Sequence, residues 1–197
     1  MSGRILALSG GVGGAKLCAG LAATLAPESL TIVVNVGDDF EHLGLMISPD
    51  IDSVVYGLTG LADPVRGWGI LGDTFSTLAA LERYRGRSWF QVGDRDLATH
   101  LFRTERLMQG DTLSAVTAAQ ARALRVRAQV LPMSDAPVRT QIDTVQGRRS
   151  FQEYLVRDRA RETVRAAIAL ARAAGVAVSY DTNLRLKLWP LELARET

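Results

Sequence analysis

Two short stretches of the chain carry residue types that do chemistry together. "ILALSGGVGGAKL" places Gly10, Gly11, Gly13 and Gly14 within five positions, with Lys16 close behind. "VNVGDDFEHLGLMISPDID" then places Asp38, Asp39, Asp50 and Asp52 within fifteen. Glycine lets a backbone N–H come close to an anion, and a following helix N-terminus favours negative charge. Carboxylates beside a phosphate site hold Mg²⁺, which takes one or two carboxylates together with phosphate oxygens and water. The pair of stretches therefore reads as a phosphate cradle with a divalent-cation site. Each half also has a plainer reading. The glycines can form a tight strand-to-helix turn without ligand. Acids in the first turn of a helix complement its dipole by about 0.3–1 kcal/mol, and Asp is a common turn former.

The glycine run matches neither common phosphate motif. A P-loop ends in Gly-Lys-Ser/Thr, whereas Lys16 here lies between Ala15 and Leu17. A dinucleotide fingerprint counted from Gly11 and Gly13 wants Gly or Ala where Lys16 stands. A second polar group, "QVGDRDLATHL", gathers Gln91, Asp94, Arg95, Asp96, Thr99 and His100 at the start of an expected helix. Asp96 and His100 are an i, i+4 pair and share a helix face. No serine elbow accompanies them, so a Ser-His-Asp triad is not indicated, and His100 by itself reads as a partly buried, satisfied histidine. Trp68, between Gly67 and Gly69, is placed either to stack on a planar ligand or to cap the core.

The elements that must position these groups are legible around them. Ile5–Leu8 reads as a short buried strand, Leu17–Leu25 as a helix, and Leu30–Asn35 as a second strand, apolar up to Asn35. Two strands joined by a helix imply a βαβ unit with a parallel sheet. Ligands then bind beyond the carboxyl ends of the strands, the edge that receives both the glycine run and Asp38-Asp39. Pro49 opens a helix with Asp50 and Asp52 in its first turn. Further helices are expected at Leu78–Tyr84, at Leu97–Leu107 and over "LSAVTAAQARALRV". A strand follows through Leu131, then a hairpin over "VRTQIDTVQGRRSFQEYLV" with Gly147 at its turn.

Composition narrows the function classes. The chain has 197 residues, 47% hydrophobic and 22% charged, which suits one globular domain or slightly more. A net charge of +2 argues against nucleic acid or a membrane surface as partner. Cys18 is the single cysteine, so no intramolecular disulfide forms. With no apolar run long enough to span a bilayer and no signal-peptide pattern at the start, the expected location is the cytoplasm.

Six ordered segments carry a family resemblance. "SGGVGGAKL", "VVNVGDDFEHLGLMISPDIDSVVYGL", "GWGILGDTF", "VGDRDLATHL", "LPMSDAPVRTQIDT" and "FQEYLVR" together resemble the 2-phospho-L-lactate transferase family of coenzyme F420 biosynthesis, over about residues 4 to 160. The resemblance implies a Rossmann-like α/β fold, a parallel-sheet three-layer sandwich truncated relative to the family. It implies a Mg²⁺-dependent transferase. A phospholactyl, phosphoenolpyruvyl or similar group would pass from a guanosine diphosphate conjugate to the deazaflavin Fo, releasing GMP. Gly10, Gly11, Gly13, Gly14 and Lys16 would cradle the donor phosphates. Asp38 and Asp52 would serve the metal and the attacking hydroxyl, with Asp50 nearby, while Asp52 and Gln91 would hold Fo. Asp94, Arg95 and Thr99 would complete the pocket. A homodimer is implied. The second reading, from a different class, is a nucleotide- or deazaflavin-binding module without turnover, because the family's later Ser-Asn-Pro and Ser-Ile-Gly-Pro segments are missing.

From about Arg161 the chain departs from that pattern. A helix leads to a strand, Val176–Tyr180, and then to "DTNLRLKLWP". This part resembles a piece of the ribokinase-superfamily 2-keto-3-deoxygluconate kinases, with Asn183 and Arg185 at positions near the sugar in that family. The glycine-rich ATP site of such a kinase is absent. The tail is therefore expected to extend the sheet rather than to bind sugar. The expected division is residues 1–160 and 161–197.

Overall fold

The computed structural model describes residues 3–86 and 88–156. By proximity the chain divides into two compact units, Met1–Thr140 and Gln141–Thr197. The first contains β1 (Ile5–Ser9), α1 (Gly11–Thr24), β2 (Leu30–Val34), β3 (Phe40–His42), β4 (Leu45–Ile47), α2 (Pro49–Thr59), α3 (Ser76–Arg83), α4 (Asp96–Met108), α5 (Leu113–Ala123) and β5 (Gln129–Pro132). The described part of the second contains the antiparallel pair β6 (Gln141–Thr144) and β7 (Gly147–Ser150), then α6 (Phe151–Val156). The expected tail helix, the strand at Val176–Tyr180, Asn183 and Arg185 lie outside the described residues.

The first unit is α/β, with a parallel sheet in the order β1-β2-β5, the architecture of a Rossmann-like fold. Ala7 pairs with Ile32, and Ile32 with Val130. Strand period decides the core. Leu30, Ile32 and Val34 alternate onto one face and are fully buried, while Thr31 and Val33 on the other are half-buried. Ala15 and Cys18 of α1 and Ile51, Val54 and Val55 of α2 join the same cluster. Each large side chain buried there contributes about 1.5–3 kcal/mol. The two helices meet at small residues: a Cβ on Gly57 would lie 3.4 Å from the Ala15 Cβ and its carbonyl oxygen.

Two expectations are corrected, and one element is added. Helix α1 begins at Gly11, not near Leu17, so Gly11, Gly13 and Gly14 form its first turn rather than a loop before it. Gly14 is needed there, because a Cβ would collide with Ser9 Oγ and come within 3.3 Å of Ser9 Cα. Strand β1 is not buried on both faces: Leu6 and Leu8 are exposed, and Ala7 and Ser9 alone face the core. β1 pairs with β2 only, so it is an edge strand among the described residues. The β3–β4 hairpin was not expected. Its turn is Leu43-Gly44, both at positive φ (54° and 76°), the mirror-image geometry that closes two-residue hairpins.

That hairpin returns the chain so that α2 starts beside α1. Pro49 stands in the first turn of α2, and Gly60 in the left-handed region (φ 70°) ends it, letting the Leu61 and Ala62 N–H groups donate to the Tyr56 carbonyl. The carboxyl ends of the strands are tied together. Asn35 N–H donates to the Ser9 carbonyl at 2.8 Å, Met133 N–H to Val34 at 2.8 Å, and Thr140 N–H to Gly37 at 2.7 Å.

Candidate functional site

The sheet's carboxyl edge brings the glycine turn and two of the expected carboxylates together through Asn35. Its Nδ2 donates to Asp50 Oδ2 at 2.9 Å and reaches Asp38 Oδ1 at 3.5 Å, while its Oδ1 accepts from Gly37 N–H at 3.0 Å. Asp50 lies against the start of α1. A Cβ on Gly10 would stand 3.1 Å from its Oδ2, and one on Gly11 3.7 Å from its Oδ1. Gly11 also has φ +58°, which a side chain would strain. A carboxylate thus lies beside the start of a helix, close to where an anion at that N-terminus would sit. A phosphate brought there meets a like charge, and a divalent cation between the two removes the conflict. Asp38 and Asp50 fit Mg²⁺ on that ground, the remaining positions falling to phosphate oxygens and water. Lys16 is exposed on α1.

Asp39 points the other way. Ser48 Oγ donates to its Oδ2 at 2.8 Å, and its Oδ1 is buried without a hydrogen-bond donor among the described residues. Burial raises its pKa to about 7, and the Asp52 and Asp50 charges add to this. Ser48 and the Arg103 charge oppose the rise.

Asp52 is not beside the glycine turn but underneath the site, held by Arg103 of α4. Arg103 Nη2 donates to Asp52 Oδ1, and Nη1 to Oδ2 at 3.2 Å. The guanidinium is fully buried; burial works to lower its pKa, but the Asp52 carboxylate outweighs that and holds it above the usual arginine value. Around the pair, His100 Nδ1 lies 3.2 Å from Arg103 Nη1, and His100 Nε2 lies 3.5 Å from Asp96 Oδ2. Tyr56 Oη lies 2.6 Å from Asp96 Oδ1 and 2.7 Å from Thr99 Oγ1. Burial, then the Asp52 and Asp96 charges, push the Tyr56 phenol well above its usual range. Asp96 is held below the carboxylate range: burial alone would raise it, and His100, Tyr56 and Arg103 reverse that. Thr99, expected in the pocket, belongs to this network, and its carbonyl accepts from Gln120 Nε2 at 2.9 Å.

The Gly-Asp-Arg-Asp segment is a clamp between two helices. Asp94 accepts from Thr74 Oγ1 and from the N–H groups of Ser76 and Thr77 at the start of α3, which holds it well below the carboxylate range. Asp73 accepts in return from the N–H groups of Arg95 and Asp96 at the start of α4. Gly93 is required, because a Cβ there would collide with the Asp73 carboxylate. Arg95 Nη1 donates to the Leu71 carbonyl at 3.2 Å, and Gln91 is half-buried just upstream. Trp68 stacks edge-on with Phe75, and Arg66 lies over both rings, 5.4 Å from the Trp68 centroid. Asp50 therefore lies against the glycine turn, and Asn35 links it to Asp38. Asp52 and Thr99 form the buried layer, and Asp94 and Arg95 form the clamp.

Comparison with known proteins decides the family. A family model described as 2-phospho-L-lactate transferase CofD matches residues 5–179. The chain belongs to this family. The 2-phospho-L-lactate transferase match runs past the expected end near residue 160, so part of the stretch that resembles a sugar kinase is covered by it as well. A phosphoenolpyruvate transferase of Kitasatospora aureofaciens is 44% identical over 160 residues, covering 78% of this chain and 50% of the relative. One from Streptomyces avermitilis is 41% identical over 162 residues, 80% of this chain and 51% of the relative. A 2-phospho-L-lactate transferase of Methanospirillum hungatei is 40% identical over 152 residues, 77% of this chain and 51% of the relative. The chain spans about half the length of the curated relatives it matches. No helix among the described residues is long and apolar enough to cross a membrane.

Proposed function

We propose that the chain acts in a phosphoryl-type transfer from a guanosine diphosphate conjugate of a three-carbon acid to a hydroxyl of the deazaflavin Fo. That hydroxyl's oxygen attacks the phosphorus bearing the acid, and its proton passes to the Asp38 carboxylate; the bond to GMP breaks, and the GMP phosphate leaves with the electron pair. Mg²⁺ neutralises charge on the transferring group when bound. The observation that carries the reading is Asp50 seated against Gly10 and Gly11, with Asn35 bridging it to Asp38. Gly10, Gly11, Gly13, Gly14 and Lys16 receive the donor phosphates. Asp38 and Asp50 hold the cation in this reading, because the Asp52 oxygens already accept from Arg103. Catalysis then rests on positioning and charge neutralisation, without a covalent enzyme intermediate. Fo lies on the side of Asp52 and Gln91, with Asp94, Arg95 and Thr99 supporting it. Phosphoenolpyruvate is the favoured acid, since the relatives at 44% and 41% identity are named for it. A cytoplasmic homodimer completes the proposal.

The test is a fluorescence titration of Fo, with and without Mg²⁺, on the wild type and on Asp52→Ala. Binding that the substitution removes, while a thermal melt shows the variant still folded, supports the acceptor site. Wild-type protein that binds no Fo contradicts it. Fo bound but never modified is the outcome that favours the non-catalytic binding module, and the half-length match to the relatives is what keeps that reading in view.

A further inference from the structure

Arg103 takes no part in the chemistry proposed above, yet it is a fully buried cation one layer beneath it. Its guanidinium grips two points that flank Asp50 in the chain. Nη1 donates to the Met46 carbonyl at 3.2 Å, at the β4 side, and both Nη1 and Nη2 donate to Asp52, in the first turn of α2. Between these points run Ser48, which donates to Asp39, and Asp50, which faces the glycine turn. Asp52 N–H donates to the Ser48 carbonyl at 3.0 Å, the first hydrogen bond of α2, so Arg103 grips the chain on both sides of the helix start. Gln120 Oε1, 3.5 Å from Nη2, ties the guanidinium to α5.

Stability alone is a poor reason for such a group. A buried ion pair often contributes no more than apolar side chains of the same volume. What an arginine does here that an apolar residue does not is span two anchors with a rigid fork. We propose that Arg103 is the positioning residue of the carboxylate site, fixing residues 46–52 so that the Asp50 carboxylate is held at the glycine turn for the divalent cation. The proposal rests on the reading that this edge binds a divalent cation. Lysine keeps the charge at Arg103 but not the fork. Glutamine keeps neither the charge nor the span.

The test is Mn²⁺ binding, followed by electron paramagnetic resonance on the full chain in the wild type, Arg103→Lys and Arg103→Gln. A thermal melt of each sample lets affinity be expressed per folded molecule. A partner bonded directly to a metal carboxylate contributes about 10- to 100-fold to metal affinity; Arg103 bonds Asp52 rather than Asp50 and acts through the 46–52 segment, so a loss near the lower end, about 10-fold, is expected in both variants while they remain folded. A merely structural arginine would lower the melting temperature and leave the affinity of the folded fraction within about twofold, which would overturn the proposal. Should Arg103→Gln fail to fold, the charge-retaining Arg103→Lys decides by the same criterion. Wild-type protein that takes up no Mn²⁺ overturns the cation reading itself, and the proposal with it. That failure is distinguishable because it shows in the unsubstituted chain.

Discussion

Asp50→Asn changes one charge and almost no shape, and the structure fixes the sign of its effect. The Asp50 oxygens lie 3.1 and 3.7 Å from where side chains on Gly10 and Gly11 would begin. A phosphate on the first turn of α1 therefore sits close to a full negative charge. Two like charges about 4 Å apart repel by about 1 kcal/mol in water and about 4 kcal/mol near a protein surface. Without metal, the asparagine variant should bind GDP more tightly than the wild type, by about fivefold at the lower of these values. The amide oxygen still accepts from Asn35, so the local fold is kept. With Mg²⁺ the order reverses, because the wild type gains a bridging cation and the variant has lost one of its holders. Isothermal titration with GDP, in EDTA and in Mg²⁺, reads both arms. A variant that binds GDP equally poorly with and without Mg²⁺ would refute the reasoning and make Asp50 a structural residue of α2.

Other perturbations follow from the same geometry. Gly93→Ala should destabilise the protein by about 1–3 kcal/mol, since the added methyl displaces the Asp73 carboxylate from the start of α4; a thermal melt checks it. Arg103→Met should cost about 3–5 kcal/mol in urea unfolding by leaving Asp52 buried without its partner, and adding Asp52→Leu should recover most of the loss. Asp39 binds its proton more tightly folded, at about pH 7, than unfolded, at 3.8. The folded state then holds the extra proton between those values, so Asp39 makes stability fall as pH rises from about 4 to 7. Urea unfolding in EDTA at both ends of that window should show a smaller fall in Asp39→Asn than in the wild type.

How much of this could be read from the chain depends on whether a residue's partner is near in sequence. β2, the Pro49 start of α2 and the acids of its first turn are local patterns, set by strand period and helix start signals, and they stand where the spacing places them. Helix α1 was misjudged at its beginning because glycine is a poor helix former, and only the contact of Gly14 with Ser9 explains why glycine is used inside the turn. The β3–β4 hairpin hides in "FEHLGLMI" because Leu43 takes a positive φ that leucine rarely adopts. Arg103 was missed although a signal existed. Asp96, His100 and Arg103 follow one another at helical spacing on the α4 face turned inward. Their partners Asp52 and Tyr56 lie on α2, far away in sequence, so only tertiary packing reveals that the stripe is a buried network. The exchange between Asp73 and Asp94 is of the same kind: each caps the helix that follows the other.

The account stands most directly on a single-turnover reaction. The full chain is mixed in excess over Fo with a guanylylated phosphoenolpyruvate donor and Mg²⁺, and the products are followed by mass spectrometry. The account predicts GMP and the phospho-acid ester of Fo in equal amounts, with neither formed by Asp38→Ala. Fo and donor both bound, Mg²⁺ present and no ester formed would contradict it.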